Sequence, residues 1–452
     1  MAMSRPLPPL SFSQILNMNV GFFGIQYSFG LQQTAINPLY TFLHARPEEL
    51  PLLNLAGPVT GLLVQPIIGA MSDRTWHPRW GRRKPYFLVG AVLCSLALFA
   101  FPFSRALWMA VGLLWILDAG NNTAMEPYRA FIADRLPPAQ RATGFLTQSF
   151  FTGLGITLAN VSLFLFQRFV TGGTTAADGS AGIPYWVFGS FFFGAVCSIG
   201  SVLWSMSTTT EIPPTAEELA ALRARPAGLL APLREIASAV ADMPRVLWQL
   251  ALVYLFQWYA MFCYWQYISH AIARSVWGVD AASDPVRYQE AVGWTGLVNG
   301  WYNVVTFLSA FALAGLARRH SPRVVHAVCL ALAAAALLSL PWISDRYLLF
   351  VPMVGFGIGW ASMMGVPYLM VVSAVPKARY GVYMGIVNMM IVVPMIIQTL
   401  TFGPIYDRLL GGDPLRVMLF AGALLAVAAL AVLRIRPGAM ADAEGIAPGA
   451  GL

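Results

Sequence analysis

Residues 118–129 read Asp-Ala-Gly-Asn-Asn-Thr-Ala-Met-Glu-Pro-Tyr-Arg. On a helix turning about 100° per residue, Asp118, Asn122, Glu126 and Arg129 fall within about 80° of arc. Two carboxylates, an amide and a guanidinium then share one stripe roughly 16 Å long. Glu126 and Arg129 stand at i,i+3, where opposite charges pair; Asp118 has no charged partner within a turn. The stripe carries one net negative charge and becomes neutral when a carboxylate takes a proton. That is proton-coupling chemistry for Asp118 and Glu126, because protonation changes the cost of sealing the stripe from water. The alternative use of Glu126 and Arg129 is a structural ion pair. Pro127 removes the hydrogen bond to the carbonyl of Thr123 and is expected to kink the helix beside these charges.

Neutral polar side chains supply the second set. Asn19, Gln26, Gln33 and Asn37 recur at steps of seven, seven and four, within about 40° on one helical face. Amides offer donors and acceptors together, which suits sugar hydroxyls; hydrogen bonding between packed helices is the other use. Gln26, Gln33 and Asn37, with Asn122 and Arg129, are therefore candidate substrate ligands. Residues 254–267 are crowded with Tyr254, Phe256, Trp258, Tyr259, Phe262, Tyr264, Trp265 and Tyr267. Aromatic faces can stack on pyranose rings, and Tyr264 is the candidate here, although aromatics also occupy lipid-facing and interfacial positions. Asn299 and Asn303, with Tyr302 and Asn388, are the candidates on the second-half wall. The loop 72–85 is the densest basic run, and Asp73, Arg82 and Arg83 in it, with Pro127, are candidate gating residues. The four cysteines (Cys94, Cys197, Cys263, Cys329) and five histidines show no metal-ligand spacing. No metal is expected, and no cofactor beyond a coupling proton.

The elements that must position these residues are membrane helices. The 452 residues are 58% hydrophobic and 11% charged, where a soluble domain carries about a quarter charged residues. That leaves too little polar surface to cover a globule in water, which disfavours an ordinary cytosolic enzyme. A membrane helix needs roughly 20 mainly apolar residues. On that ruler the chain gives spans at 17–43, 51–73, 86–104, 106–134, 142–169, 184–207, 246–272, 290–317, 324–343, 347–374, 379–405 and 415–435. The expected organisation is a cytoplasmic N-terminus (1–16), a six-helix bundle (17–207), a central cytoplasmic loop (208–245), a second six-helix bundle (246–436) and a disordered cytoplasmic tail (437–452). The N-terminus lacks the pattern of a secretory signal.

Charge sorting sets the orientation. With both termini cytoplasmic, that side holds 19 of the 28 Lys and Arg residues, as the positive-inside rule requires. The net +8 is then a property of the loops, and no basic stripe for nucleic acid remains. No span holds a nucleophile–base pair, so no enzyme is expected. A weak repeat joins the halves. Pro127-Tyr128 and Arg141-x-x-Gly144 are echoed by Pro367-Tyr368 and Arg379-x-Gly381, while the positions answering Asp118, Glu126 and Arg129 are Ile358, Val366 and Leu369. Two tandem six-helix halves with a midplane site are the major facilitator plan.

The loop 72–85, with Gly57-Pro58-x-x-Gly61 and Gln65-Pro66 before it, resembles the sugar–cation symporters of the glycoside–pentoside–hexuronide group and the sucrose–proton symporters. So does Asp118…Asn121-Asn122…Pro127-x-Arg129-Ala130…Ala133-Asp134. Met125 through Phe131 and Phe22-x-Gly24-Ile25-Gln26 are similar to bacterial maltose and maltooligosaccharide transporters. The resemblance implies an all-α membrane protein of major facilitator fold, with twelve transmembrane helices in two six-helix halves. It implies that Asp118 accepts the proton and that Arg129 works with it, releasing it on protonation and helping to hold sugar. The function it points to is proton-coupled import of an α-glucoside disaccharide or short oligosaccharide by alternating access, maltose-like before sucrose, in a bacterial inner membrane. The partners expected are the sugar and membrane lipid, with the chain a monomer. A proton-coupled exporter of amphiphilic compounds and a sugar-sensing homologue are the alternatives.

Overall fold

The computed structural model describes residues 8–170, 182–215, 217, 220, 240–374 and 380–435. The expected tail and most of the expected central loop lie outside the described residues, as does the side chain of Asp73. Twelve helices of 17 residues or more are described. They are α1 (Phe12–Phe42), α2 (Ala56–Arg74), α3 (Lys84–Ala100), α4 (Leu107–Arg135), α5 (Pro138–Phe169), α6 (Tyr185–Thr208), α7 (Arg245–Ile272), α8 (Pro285–Arg319), α9 (Pro322–Ser339), α10 (Phe350–Ala374), α11 (Tyr380–Pro404) and α12 (Pro414–Leu433). No strand is assigned among the described residues. The chain is an all-α, multi-pass membrane protein.

Local chemistry sets the helix ends. Helix α1 begins five residues before its apolar run, because Ser11 and Gln14 form a capping box that satisfies two otherwise orphaned N–H groups. Helices α5, α9 and α12 each start on a proline, whose missing N–H costs nothing in a first turn. The expected second span breaks at Asn54: its side chain donates to Leu50 O at 2.8 Å and to Asn37 Oδ1 at 2.6 Å, and α2 starts only at Ala56. Phe101–Phe103 ends α3 and Leu340–Trp342 ends α9 in the same way, as 3-10 turns around a central proline, a structural counterpart of the sequence repeat. Helix α4 runs on through Pro127 to Arg135.

Among the described residues, nine of the helices are apolar enough to cross a membrane by length and composition alone. The other three, α1, α4 and α8, carry most of the candidate site residues.

The chain divides into two compact units. The first comprises Met1–Gly228 and Ala281–Gly300. Its core gathers Met18, Phe22, Phe87, Tyr128 and Phe131; Tyr128 stacks on Phe87 with ring centroids 4.5 Å apart and donates to Met18 O at 2.5 Å. Helices α3 and α4 approach closely because Gly90 lies against Gly120 and Ala124, where a methyl on Gly90 would stand 2.5 Å from Gly120 O. The second unit comprises Leu229–Asp280 and Trp301–Leu452. Tyr264, Tyr302 and Phe356 pack together there, with Tyr264 and Phe356 centroids 4.4 Å apart.

Candidate functional site

The expected stripe on α4 divides in two. Asp118 is fully buried, and among the described residues neither of its oxygens has a hydrogen-bond partner. Gln32 of α1 is the side chain placed to bond to it, although no formed hydrogen bond joins them. Both face Gly57 of α2: a methyl there would stand 3.5 Å from Gln32 Nε2, 3.6 Å from Asp118 Oδ2 and 3.9 Å from Oδ1. Tyr40 and Cys94 are the titratable groups near enough to feel a charge on Asp118. Two turns on, Glu126 pairs with Arg129 at 3.0 Å, with side chains 33% and 48% exposed. An exposed pair of this kind is worth about 0–1 kcal/mol. Arg129 is therefore engaged by Glu126. The expected contact between Arg129 and Asp118 is not formed, because eleven residues separate them, roughly 16 Å along one helix.

The amides that flank Asp118 are held by neighbouring helices. Asn122 donates to Thr60 Oγ1 at 3.0 Å and to Asp118 O at 2.9 Å, while its oxygen accepts from Gln65 Nε2 at 2.6 Å. Asn121 donates to Ser28 Oγ at 2.9 Å and accepts from Cys94 Sγ at 3.1 Å. The second unit has a comparable three-helix node. His326 of α9 bonds Ser362 of α10 at 2.8 Å and Gln257 Oε1 of α7 at 3.2 Å, and all three are sealed from solvent.

The α1 amides do not act as one lining. Asn19 donates to its own Ile15 O. Gln26 is buried and its Cβ lies where a methyl on Gly155 of α5 would make contact. Gln33 is half-buried, and Asn37 accepts from Asn54. Asn299 donates to Thr34 Oγ1 at 3.1 Å, and Thr34 in turn donates to Asn160 Oδ1, all within the first unit. Asn303 is buried in the second unit. Tyr264 is buried among aromatic rings, with its hydroxyl 3.9 Å from Met353 Sδ.

Two of the gating candidates, Arg82 and Arg83, are tied down by bonds from neighbouring helices and loops. Arg83 pairs with Asp134 at 2.8 Å and donates to Ser72 Oγ at 2.6 Å. The backbone N–H groups of Arg82, Arg83 and Lys84 all donate to the Glu211 carboxylate, at 2.7, 2.9 and 2.9 Å. Gly81, at φ +76, leaves the room this needs. These contacts run inside the first unit, where they fasten the start of α3 to the chain leaving α6.

Sequence reasoning passed over Gln32 and gave Glu211 no role. The signal for Gln32 is a second polar face on α1: Ser28 and Gln32 stand at i,i+4, and both meet α4. Nothing local marks Glu211, whose partners lie 127–129 residues away.

The model of the Major Facilitator Superfamily matches residues 18–399. Similar curated proteins include Sucrose transport protein SUT1 of Oryza sativa subsp. japonica, 25% identical, covering 89% of this chain and 84% of that protein. Sucrose transport protein SUC4 of Arabidopsis thaliana is 24% identical, covering 91% and 89% respectively. Among solved structures, a D-xylose-proton symporter aligns with a TM-score of 0.64 at 14% identity, over 94% of this chain and 98% of that one. The nucleoside transporter NupG aligns with a TM-score of 0.65 at 13% identity, over 94% of this chain and all of that one. These structural likenesses establish the fold. With a family model spanning most of its length and twelve long helices of matching architecture, the chain belongs to the Major Facilitator Superfamily.

Proposed function

We propose that this protein is a proton-coupled sugar symporter that imports an α-glucoside disaccharide or short oligosaccharide by alternating access. Maltose and maltooligosaccharides are the favoured substrates, with sucrose next. The observation that carries this reading is Asp118, a sealed carboxyl with no formed hydrogen bond in the described structure. Burying an unpaired carboxylate is expensive, whereas burying the neutral acid is not. A protein that must bind a proton before it closes needs a group of that kind. The similarity to sucrose transport proteins supports a sugar as the passenger.

In this reading Asp118 carries the proton, with Glu126 second. Arg129, steadied by Glu126, offers its fork of donors to sugar hydroxyls. Gln26, Gln33, Asn37 and Asn122 are sugar ligands, with Asn37 and Asn122 exchanging their present protein partners for substrate, and Asn299, Asn303 and Tyr264 are further sugar ligands. Asp73, Arg82, Arg83 and Pro127 act in gating. The Lys/Arg bias supports cytoplasmic termini, and the resemblance to bacterial transporters is what suggests a bacterial inner membrane.

The test is uptake into proteoliposomes under an imposed inward pH gradient, with labelled maltose, sucrose and longer maltodextrins offered in turn. Accumulation above the external concentration, abolished by a protonophore, is expected for at least one. Failure of all three to accumulate would overturn the reading. Asp118→Asn should remove accumulation while leaving exchange of sugar across the membrane.

A further inference from the structure

Gln32 has no place in the coupling scheme above, yet its position beside Asp118 gives it one. The two side chains come from different helices, α1 and α4, and converge on the same space beside Gly57 of α2. Both oxygens of Asp118 and the oxygen of Gln32 are buried with no hydrogen-bond partner among the described residues. The groups that face Asp118 from its neighbours are Gln32 and Tyr40 of α1, Gly57 of α2 and Cys94 of α3. Cys94 already donates to Asn121, and Tyr40 points its hydroxyl at Leu53 O, 3.3 Å away. Gln32 is the remaining donor in that set.

We propose that Gln32 is the positioning residue that serves Asp118 in both of its protonation states, so that α1 reads whether α4 carries a proton. A carboxylate only accepts hydrogen bonds, whereas a carboxylic acid also donates one. A primary amide matches either, because rotation about its last torsion exchanges NH2 for oxygen. Toward the charged form Gln32 presents Nε2 to Asp118. Toward the protonated form its oxygen accepts the acid O–H. A leucine fills the same space and does neither. Gly57 borders the arrangement, and a methyl there would touch both groups at ordinary contact distance.

This inference rests on Asp118 as the proton carrier, and its test has a readout that needs no sugar. Difference infrared spectra of the purified full-length protein are recorded over a pH series, with Asp118→Asn identifying the C=O band of protonated Asp118. Gln32→Leu should displace that band, because the acid loses its acceptor, while Gln32→Asn, which keeps the amide, should restore it in part. Gly57→Ala, whose methyl fits at ordinary contact distance between the two groups, should displace the band in the same direction. It covers the case in which Gln32→Leu does not fold. A band unmoved by both Gln32→Leu and Gly57→Ala would overturn the assignment of Gln32, whatever the transport assays return. In proteoliposomes Gln32→Leu should retain sugar exchange and lose accumulation by at least about tenfold, the factor set by one hydrogen bond to a charged group. Wild-type accumulation with a mutant that accumulates equally would overturn it too. A wild type whose Asp118 band titrates but which moves no sugar overturns the symport reading and not the role of Gln32.

Discussion

Asp118 and Glu126 show how one helix face yields two kinds of carboxyl. Both were legible in the sequence as acids at membrane depth, and the i,i+3 spacing of Glu126 and Arg129 allowed that pair. Their difference was not legible, because it depends on what the neighbouring helices present. Asp118 meets Gly57 and Gln32, whereas Glu126 stands partly exposed beside a guanidinium. The stability effect of Glu126→Gln should accordingly stay within about 1 kcal/mol, as for other exposed pairs, and proton-driven accumulation should fall less than it does for Asp118→Asn. Thermal unfolding in detergent and uptake under a pH gradient check the two halves of that statement. The buried node of the second unit should behave in the opposite way. His326→Leu strands Ser362 Oγ and Gln257 Oε1 together, and a buried polar group left unsatisfied costs about 1–3 kcal/mol. A clear fall in the melting temperature is expected.

At the level of helices, existence was easier to read than ends. A span is a sum over roughly 20 residues, so a few polar side chains do not hide it, and every expected span has its helix within a few residues. An end depends on one or two side chains, such as Ser11 at the start of α1 or Asn54 before α2. The Ser-x-x-Gln pattern at Ser11 was there to be read; the reach of Asn54 to Asn37 was not, since it requires the fold of the loop. Contact between helices is a third matter again. Gly90 and Gly120 let α3 and α4 cross at backbone distance, and overpacking such a crossing costs typically about 1–3 kcal/mol. Gly90→Val should lower the melting temperature and displace Asn121 from Ser28, whereas Gly112→Ala, with open space at its Cβ, should be neutral. Thermal unfolding of the two variants side by side decides it.

For the whole molecule, composition and the Lys/Arg distribution pointed to a multi-pass membrane protein, and the family match and the helices agree. Glu211 illustrates what stays hidden at this scale. An acid in a polar linker reads as solvated, yet it receives three consecutive backbone N–H groups more than 120 residues away. Those of Arg83 and Lys84 are orphaned donors of the α3 start. Glu211→Ala removes their acceptor, and loss of a helix cap costs about 0.5–2 kcal/mol. Limited proteolysis should then cut the segment after α6 faster than in the wild type, with the helices themselves unaffected.

The two polar nodes also impose a schedule on how the chain is made. Lipid offers no hydrogen bonds, so a polar side chain delivered into it waits unsatisfied until its partner arrives. Ser28 waits for Asn121, and Gln257 waits for His326. At about 5–20 residues per second, the second wait lasts roughly 3–14 s. During that time α7 must shelter against finished helices or the insertion machinery, so a slow stretch of translation between residues 257 and 326 would prolong its most vulnerable interval.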